Sequence, residues 1–376
     1  MRILIASDKF KGSATGSEVA AALADGIREI IPDAVVDAAP VADGGEGTVE
    51  AAVASGFTPI TVSVTGPTGR PVDATFAVRD EQAIIEMAAA SGLDVLPDGE
   101  KSALEATSRG TGELIVAALD HGCTSIVLGV GGSACTDGGA GMLQALGVAL
   151  RTLDRPVRPG GAGLVDLASA DITGLDPRLN GVDFVLAADV DNPLLGDRGA
   201  AAVFAPQKGA SADDVAVLEA GLARLAELLE PLPGVRPSAT APGAGAAGGV
   251  GYAALAVLGA VREPGIDVIQ RLTGLAERIA DADLVITGEG SLDDQSLGGK
   301  TPLGVSAASA RAGKPVVAVC GRTTLDAAQA DAAGFARVYA LSDIEPEPAK
   351  SMANAAPLLR EVGRVIAADI PGLLGR

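Results

Sequence analysis

The 376-residue sequence predicts an α/β protein in which a middle domain is inserted into a terminal one built on a parallel sheet. Three observations carry this. Apolar strands at the start of the chain run into glycine-rich turns that open helices, the pattern switches to hairpin-like runs near Thr58, and strand–helix alternation of the first kind has resumed by Asp283. The expected boundaries are 1–60 with 283–376 for the terminal domain and 61–282 for the insert.

The elements follow in order. Ile3-Leu-Ile-Ala6 reads as a first strand, not a signal peptide, and Thr15-Gly-Ser-Glu18 supplies a capping box for a helix to about residue 31. A strand over 35–39 leads through Pro40-Val-Ala-Asp-Gly-Gly-Glu-Gly47 into a helix ending near 55. Residues 58–86 form strand-like runs with turns at Thr65-Gly-Pro-Thr-Gly69 and Arg79-Asp80, an antiparallel or mixed arrangement. Next come a helix over 112–121, a strand over 125–130, a helix over 139–146, a buried strand over 184–188 and a long helix over 213–229. Strands at 283–287, 315–319 and 336–341, with helices between, precede a final helix over 349–368. His121 closes its helix just before Gly122, where a C-terminal position suits it. Residues 239–261 carry no charge and are long enough to cross a bilayer, but they are mostly Ala and Gly with Pro242 near the start. A glycine-rich loop feeding a buried helix accounts for them better.

Composition excludes several functions. Aromatic residues make up 2% and Trp is absent, so platforms for stacking single-stranded nucleic acid are not expected. The formal net charge of −20 repels a phosphate backbone, which removes nucleic acid as a partner and means that a small phosphorylated ligand needs a local cationic pocket. Cys123, Cys135 and Cys320 show no paired spacing. With a single histidine, they leave neither a disulfide framework nor a zinc site, and most Ser-His-Asp mechanisms fall away. Only seven cationic residues are Lys, and Lys9, Lys11, Lys208 and Lys300 sit in loop-like segments where a compact ammonium suits a phosphate oxygen.

Two segments concentrate the chemistry. Ile126-Val-Leu-Gly-Val-Gly-Gly-Ser-Ala-Cys-Thr-Asp-Gly-Gly-Ala-Gly141 and Leu284-Val-Ile-Thr-Gly-Glu-Gly-Ser-Leu-Asp-Asp-Gln-Ser-Leu-Gly-Gly-Lys300 each take a strand into a glycine-rich, carboxylate-bearing loop. Backbone amides gathered there attract anions, while carboxylates oppose them unless a metal ion or a transferable proton is present. The combination points to metal-assisted phosphate chemistry. Gly129-Val-Gly-Gly-Ser-Ala134 fits a loose dinucleotide fingerprint with Asp154 about twenty residues on, but its loop is longer than that fold's tight turn. Gly299-Lys-Thr mimics the end of a P-loop, yet Asp294 stands where the first glycine belongs, so Walker A is absent. Asp189-Val-Asp-Asn-Pro193 and Pro206-Gln-Lys-Gly209 share the same character, and loops of this kind converge on one cleft outside the carboxyl ends of strands. An NAD-dependent dehydrogenase using the Gly129 fingerprint and a non-catalytic sugar-acid sensor stand as rival readings.

Eight blocks occur in the order and spacing of one family. Ser7-Asp-Lys-Phe-Lys-Gly-Ser13, Pro40-Val-Ala-Asp-Gly-Gly-Glu-Gly-Thr48, Thr111-Gly-Glu-Leu-Ile115, Gly131-Gly-Ser-Ala-Cys-Thr-Asp-Gly-Gly-Ala-Gly141, Asp191-Asn-Pro193, Phe204-Ala-Pro-Gln-Lys-Gly209, Gly245-Ala-Ala-Gly-Gly249 and Ile286-Thr-Gly-Glu-Gly290 make the whole chain resemble the type I glycerate kinases of bacteria. Ser291 departs from the basic residue that family has after Gly-Glu-Gly. The resemblance implies ATP-dependent, Mg2+-assisted phosphorylation of D-glycerate, to 2-phosphoglycerate in most members, by a cytoplasmic monomer or homodimer. It also implies a flavodoxin-like domain built from both chain ends, a second α/β domain inserted between, and an active site in the cleft separating them. Asp189 and Asp293 are the candidates for the base or the Mg2+, and Lys208 and Lys300 for the phosphate oxygens. Ser7, Asp8, Lys11, Asp43, Arg70 and Arg109 are candidates for glycerate, whose carboxylate suits a planar Arg fork. Gly131, Gly132, Ser133, Gly248, Gly249, Gly288 and Glu289 are the candidates for the nucleotide.

Overall fold

The computed structural model describes residues 1–42, 44–293, 296 and 301–375. Its strands are β1 (Arg2–Ser7), β2 (Val35–Ala38), β3 (Thr58–Thr65), β4 (Pro71–Arg79), β5 (Gln82–Glu86), β6 (Ser125–Gly129), β7 (Ala149–Arg151), β8 (Ser169–Asp171), β9 (Asp183–Ala187), β10 (Val261–Glu263), β11 (Leu284–Leu292), β12 (Val316–Thr323) and β13 (Arg337–Ala340). Among the described residues they form a five-stranded sheet ordered β13-β12-β11-β1-β2, a six-stranded sheet ordered β10-β9-β6-β5-β4-β3, and a β7-β8 pair. The chain divides into two compact units, one of Met1–Asp43, Glu50–Ser55 and Ile266–Arg376, the other of Gly44–Val49 and Gly56–Gly265.

Every pairing in the first unit's five-stranded sheet is parallel. Its central strands are apolar on both faces, as a sheet covered on both sides requires. Ile3, Ile5, Leu284, Ile286, Val317 and Val319 share a core with helices Gly16–Ile30 and Ala355–Leu373. Their neighbours Leu4, Ala6, Val285, Val316, Ala318 and Cys320 share another with helices Leu275–Asp281 and Thr301–Arg311. This is the doubly wound arrangement, and Ile3 to Ala6 and Val316 to Val319 lie in the same sheet as expected.

The capping box at Thr15 is present. The Glu18 N–H donates to Thr15 Oγ1 at 3.2 Å and the Thr15 N–H to Glu18 Oε2 at 2.9 Å. Helix Gly16–Ile30 passes so near Ala355–Leu373 that a Cβ on Gly26 would stand 1.9 Å from the Arg360 carbonyl oxygen. Three expectations are corrected in this unit. β11 runs on to Leu292 instead of stopping near 287, β12 runs on to Thr323 instead of stopping near 319, and the single helix expected over 349–368 is two, Pro348–Ala353 and Ala355–Leu373. Asn354 separates them because its side-chain amide donates back to the Lys350 carbonyl at 2.9 Å and offers the backbone an alternative to continuing the helix.

In the second unit β5, β6, β9 and β10 are parallel, with β4 and β3 added antiparallel on the β5 side. One apolar core, including Phe76, Ile85, Leu128, Leu186, Leu222 and Tyr252, joins the sheet to helices Arg109–Asp120, Ala212–Leu229 and Ala246–Ala256. The last of these is the buried helix anticipated within 239–261. Among the described residues no helix is long and apolar enough to cross a membrane. His121 caps its helix, with Nδ1 2.8 Å from the Ala117 carbonyl oxygen and the ring edge-on to Phe76. The β7-β8 pair and the helix Ala200–Phe204 are too short to show a periodicity and were not anticipated.

Candidate active site

In the first unit the candidate residues gather at the carboxyl ends of β1 and β11. Ser7 is buried and its hydroxyl donates to the Asp8 carbonyl at 2.9 Å. Asp8 follows it out of the sheet. Its N–H donates to the Gly288 carbonyl at 2.9 Å, and its carboxylate accepts from the Lys9 N–H at 2.7 Å and the Thr301 hydroxyl at 3.0 Å. Lys11 is exposed on the same loop. Gly288 lies inside β11, where a Cβ would meet the Val319 carbonyl oxygen at 2.3 Å, so its bareness serves the packing of β12 and Ser7 against it. Glu289 is the next residue on that strand and is partly exposed. Asp293 stands just past β11. Its Oδ1 accepts from the Ser296 N–H at 3.4 Å, its Oδ2 from the Ser291 hydroxyl at 3.4 Å, and its own N–H donates to Ser296 Oγ at 3.1 Å. This turn presents the carboxylate partly exposed beyond the sheet.

In the second unit the loop after β6 is the organising feature. Asp137 is fully buried, and its carboxylate accepts from the N–H groups of Ser108 (2.8 Å), Gly139 (3.1 Å) and Gly141 (3.2 Å) and from the Ser108 hydroxyl (2.9 Å). One buried anion thereby fixes both the glycine loop and the start of helix Arg109–Asp120. Lys208 closes the other side. Its ammonium, 1% exposed, donates to Ser133 Oγ at 2.8 Å and to the Cys135 carbonyl at 2.5 Å. Burial depresses its pKa to about 8, against the opposing pull of Asp137. The ammonium expected to reach phosphate oxygens is therefore engaged in holding the Gly131-Gly132-Ser133 turn. Burial likewise pushes the Cys135 thiol up, which makes it inert as a nucleophile.

Residues Ala247, Gly248 and Gly249 are left-handed one after another, with φ of 55°, 65° and 93°. A Cβ on Gly248 would meet the Cys135 carbonyl oxygen at 2.2 Å, and one on Gly249 the Gly138 Cα at 2.7 Å. The pair thus presses backbone to backbone against the same loop, with the Gly138 N–H donating to the Gly248 carbonyl at 2.9 Å. Asp189 is exposed after β9, with Oδ1 accepting the Gly265 N–H at 2.8 Å. Arg109 begins its helix and pairs with Glu113 at 2.9 Å, half exposed. Arg70 is exposed in the β3–β4 turn, which the Thr107 N–H joins to the helix start through the Pro67 carbonyl at 3.0 Å. Because β4 runs antiparallel to β5, that turn lies on the carboxyl-end side of the parallel strands. Gly131, Gly132, Ser133, Arg70, Arg109 and Asp189 all belong to this end of the second unit. Asp43 and Lys300 fall outside the described residues.

The sequence reading assigned no role to Asp137 or Glu86. Asp137 lies inside the Gly131–Gly141 motif between Thr136 and two glycines, where a carboxylate can accept the amides of the turn that follows it. Glu86 ends β5 and accepts the Val49 N–H, which ties the Gly44–Val49 segment to the sheet.

The sequence profile of the glycerate kinase family matches residues 3–371. A glycerate 2-kinase of Escherichia coli K12 is 46% identical over 345 residues, 91% of this chain and 90% of that protein. A glycerate kinase of Bacillus subtilis is 44% identical over 376 residues, 98% of each. A crystal structure described as glycerate kinase 2 of Salmonella typhimurium LT2 superposes with a TM-score of 0.85 at 42% identity, covering 99% of this chain and 98% of that one. With the match running nearly from end to end, and with the glycine-rich and carboxylate-bearing loops standing at strand ends, this chain belongs to the glycerate kinase family.

Proposed function

We propose that the protein transfers the γ-phosphoryl group of ATP to the C2 hydroxyl of D-glycerate, giving ADP and 2-phosphoglycerate. The family match across residues 3–371 carries this reading. In the step, the hydroxyl oxygen attacks the γ-phosphorus, the bond to the β,γ-bridging oxygen breaks, and its electron pair leaves with ADP. The hydroxyl proton passes to a carboxylate. Asp293, held by Ser291 and Ser296, is the carboxylate assigned to that proton, and Asp189 the one assigned to a divalent cation, with the two roles open to exchange. Both offer hard oxygen donors of the kind Mg2+ takes, one or two carboxylates completed by substrate phosphates. That mode needs no all-protein cage, and among the described residues no group of three or more His, Cys, Asp or Glu side chains is arranged for a metal. When bound, the cation neutralises charge developing on the phosphoryl group.

Asp8, Lys11, Arg70 and Arg109, with Ser7 and Asp43, are assigned to glycerate. Lys300 is assigned to phosphate, and the Gly131-Gly132-Ser133 turn to the nucleotide together with Gly248, Gly249, Gly288 and Glu289. Lys208 acts on that turn as a positioning residue. A cytoplasmic setting is part of the same reading.

Incubating the protein with ATP, Mg2+ and D-glycerate should release ADP, with a phosphorus NMR resonance coupled to the C2 proton. Reduction of NAD by a hydroxy acid with no ADP release would refute the reading, and binding without turnover would replace it with a sensor. Excess chelator should abolish turnover and added Mg2+ restore it; turnover undiminished in chelator would remove the cation from the scheme.

A further inference from the structure

β11 and β12 outrun the rest of their sheet. The pairing of β1 with β11 stops at Ser7 and Gly288, and that of β12 with β13 at Cys320 and Ala340, but β11 and β12 continue to pair through Ser291↔Arg322 and Leu292↔Thr323. The two strands therefore project as a ribbon past the carboxyl edge of the sheet, the side on which open parallel sheets bind ligands. Bare backbone at its base holds the two strands together, since a Cβ on Gly321 would stand 2.6 Å from the Gly290 carbonyl oxygen, and Gly290 itself lies beside Phe10 and Lys11 of the loop after β1. The ribbon carries an exposed guanidinium. Arg322 Nε donates to Ser291 Oγ at 3.2 Å, and the Ser291 hydroxyl donates in turn to Asp293 Oδ2 at 3.4 Å. Among the described residues this is the only hydrogen bond of the Arg322 side chain, so its two terminal nitrogens remain available.

We infer that Arg322 is a binding residue for an oxyanion of the substrates, either the glycerate carboxylate or a nucleotide phosphate. This rests on the functional reading above. A guanidinium oriented at Nε keeps its terminal fork in a fixed plane, which is the geometry that receives a carboxylate or phosphate through two parallel bonds. In a chain of net charge −20 such a cation, linked through Ser291 to the Asp293 carboxylate, also offsets the repulsion that an anionic ligand meets there.

The test is Arg322→Ala beside Arg322→Lys, with D-glycerate and ATP varied separately. Loss of a charge-assisted pair should raise KM for one of the two substrates roughly 10- to 100-fold, with kcat and the melting temperature little changed. Arg322→Lys, which keeps the charge and loses the fork, should fall between. A rise confined to D-glycerate identifies the carboxylate and a rise confined to ATP the phosphate. Unchanged KM for both substrates, or an equal rise in both, would overturn the assignment. Calorimetric titration of the full-length protein with D-glycerate alone and with ADP alone needs no turnover. Weaker binding of one ligand to Arg322→Ala would uphold the role of Arg322 even if the wild-type protein failed to phosphorylate D-glycerate, a failure that would refute only the functional reading.

Discussion

Asp293→Asn is expected to lower turnover by about a hundred- to ten-thousand-fold, the range that a positioned general base contributes. The substitution keeps the size of the side chain and an oxygen able to accept the Ser296 N–H, while removing the charge and basicity that either proton transfer or cation binding requires. Because the residue is partly exposed and its turn is held largely by Ser296 and the backbone, the melting temperature should hold. Asp294→Asn supplies the sequence control, a neighbouring carboxylate to which no role is assigned and which lies outside the described residues. Equal losses in the two variants would show that the acidity of the segment acts in general and that the chemistry belongs to a different carboxylate.

Lys208→Met should separate activity from stability. At neutral pH the buried ammonium holds Ser133 and the Cys135 carbonyl, and its removal frees the Gly131-Gly132-Ser133 turn to shift. Displacement of a binding loop by about 1 Å costs on the order of a hundredfold, so kcat/KM should fall by about ten- to a hundredfold. Stability should change far less. Two buried acceptors lose their donor, at about 1–3 kcal/mol each, but a charge whose burial costs about 3 kcal/mol, read from the fall of its pKa to about 8, goes with it.

The two properties of the wild-type protein should also diverge with pH. Between about pH 8 and the ordinary lysine value the unfolded chain binds more protons at this position than the folded one, so this group's contribution to stability rises through that window. Over the same window the ammonium that clamps the turn is lost, so kcat/KM should decline as pH passes about 8. Lys208→Met should be low in activity and lack both trends. Kinetics and thermal melts from pH 6 to 10 measure this, and wild-type kcat/KM in the variant would disprove the clamp.

Much of the fold was legible because its signals are local. The Thr15 capping box, the apolar run Ile3–Ala6 of β1, the glycine-bounded turn between β3 and β4 and His121 at a helix end each act within a few residues, and each stands where the sequence reading placed it. The ordered motif blocks identified the family because their number and spacing leave little room for coincidence. The sequence by itself thus determined the fold class and the family, and it picked out the glycine-rich loops to which the chemistry is assigned as a proposal. What those loops do with their side chains was decided by tertiary structure. Lys208 reads in sequence as one more loop lysine, and only the packing of residues 206–208 beneath residues 133–135 turns its ammonium inward. Asp137 accepts the N–H and hydroxyl of Ser108, at the start of a helix about thirty residues earlier, and Arg322 reaches Ser291 only because β11 outlasts its neighbours and pairs on with β12. A charged side chain takes its role from the partners that surround it, and partners distant in sequence are set by the register of strands and the closure of loops, quantities that no local pattern of residues records.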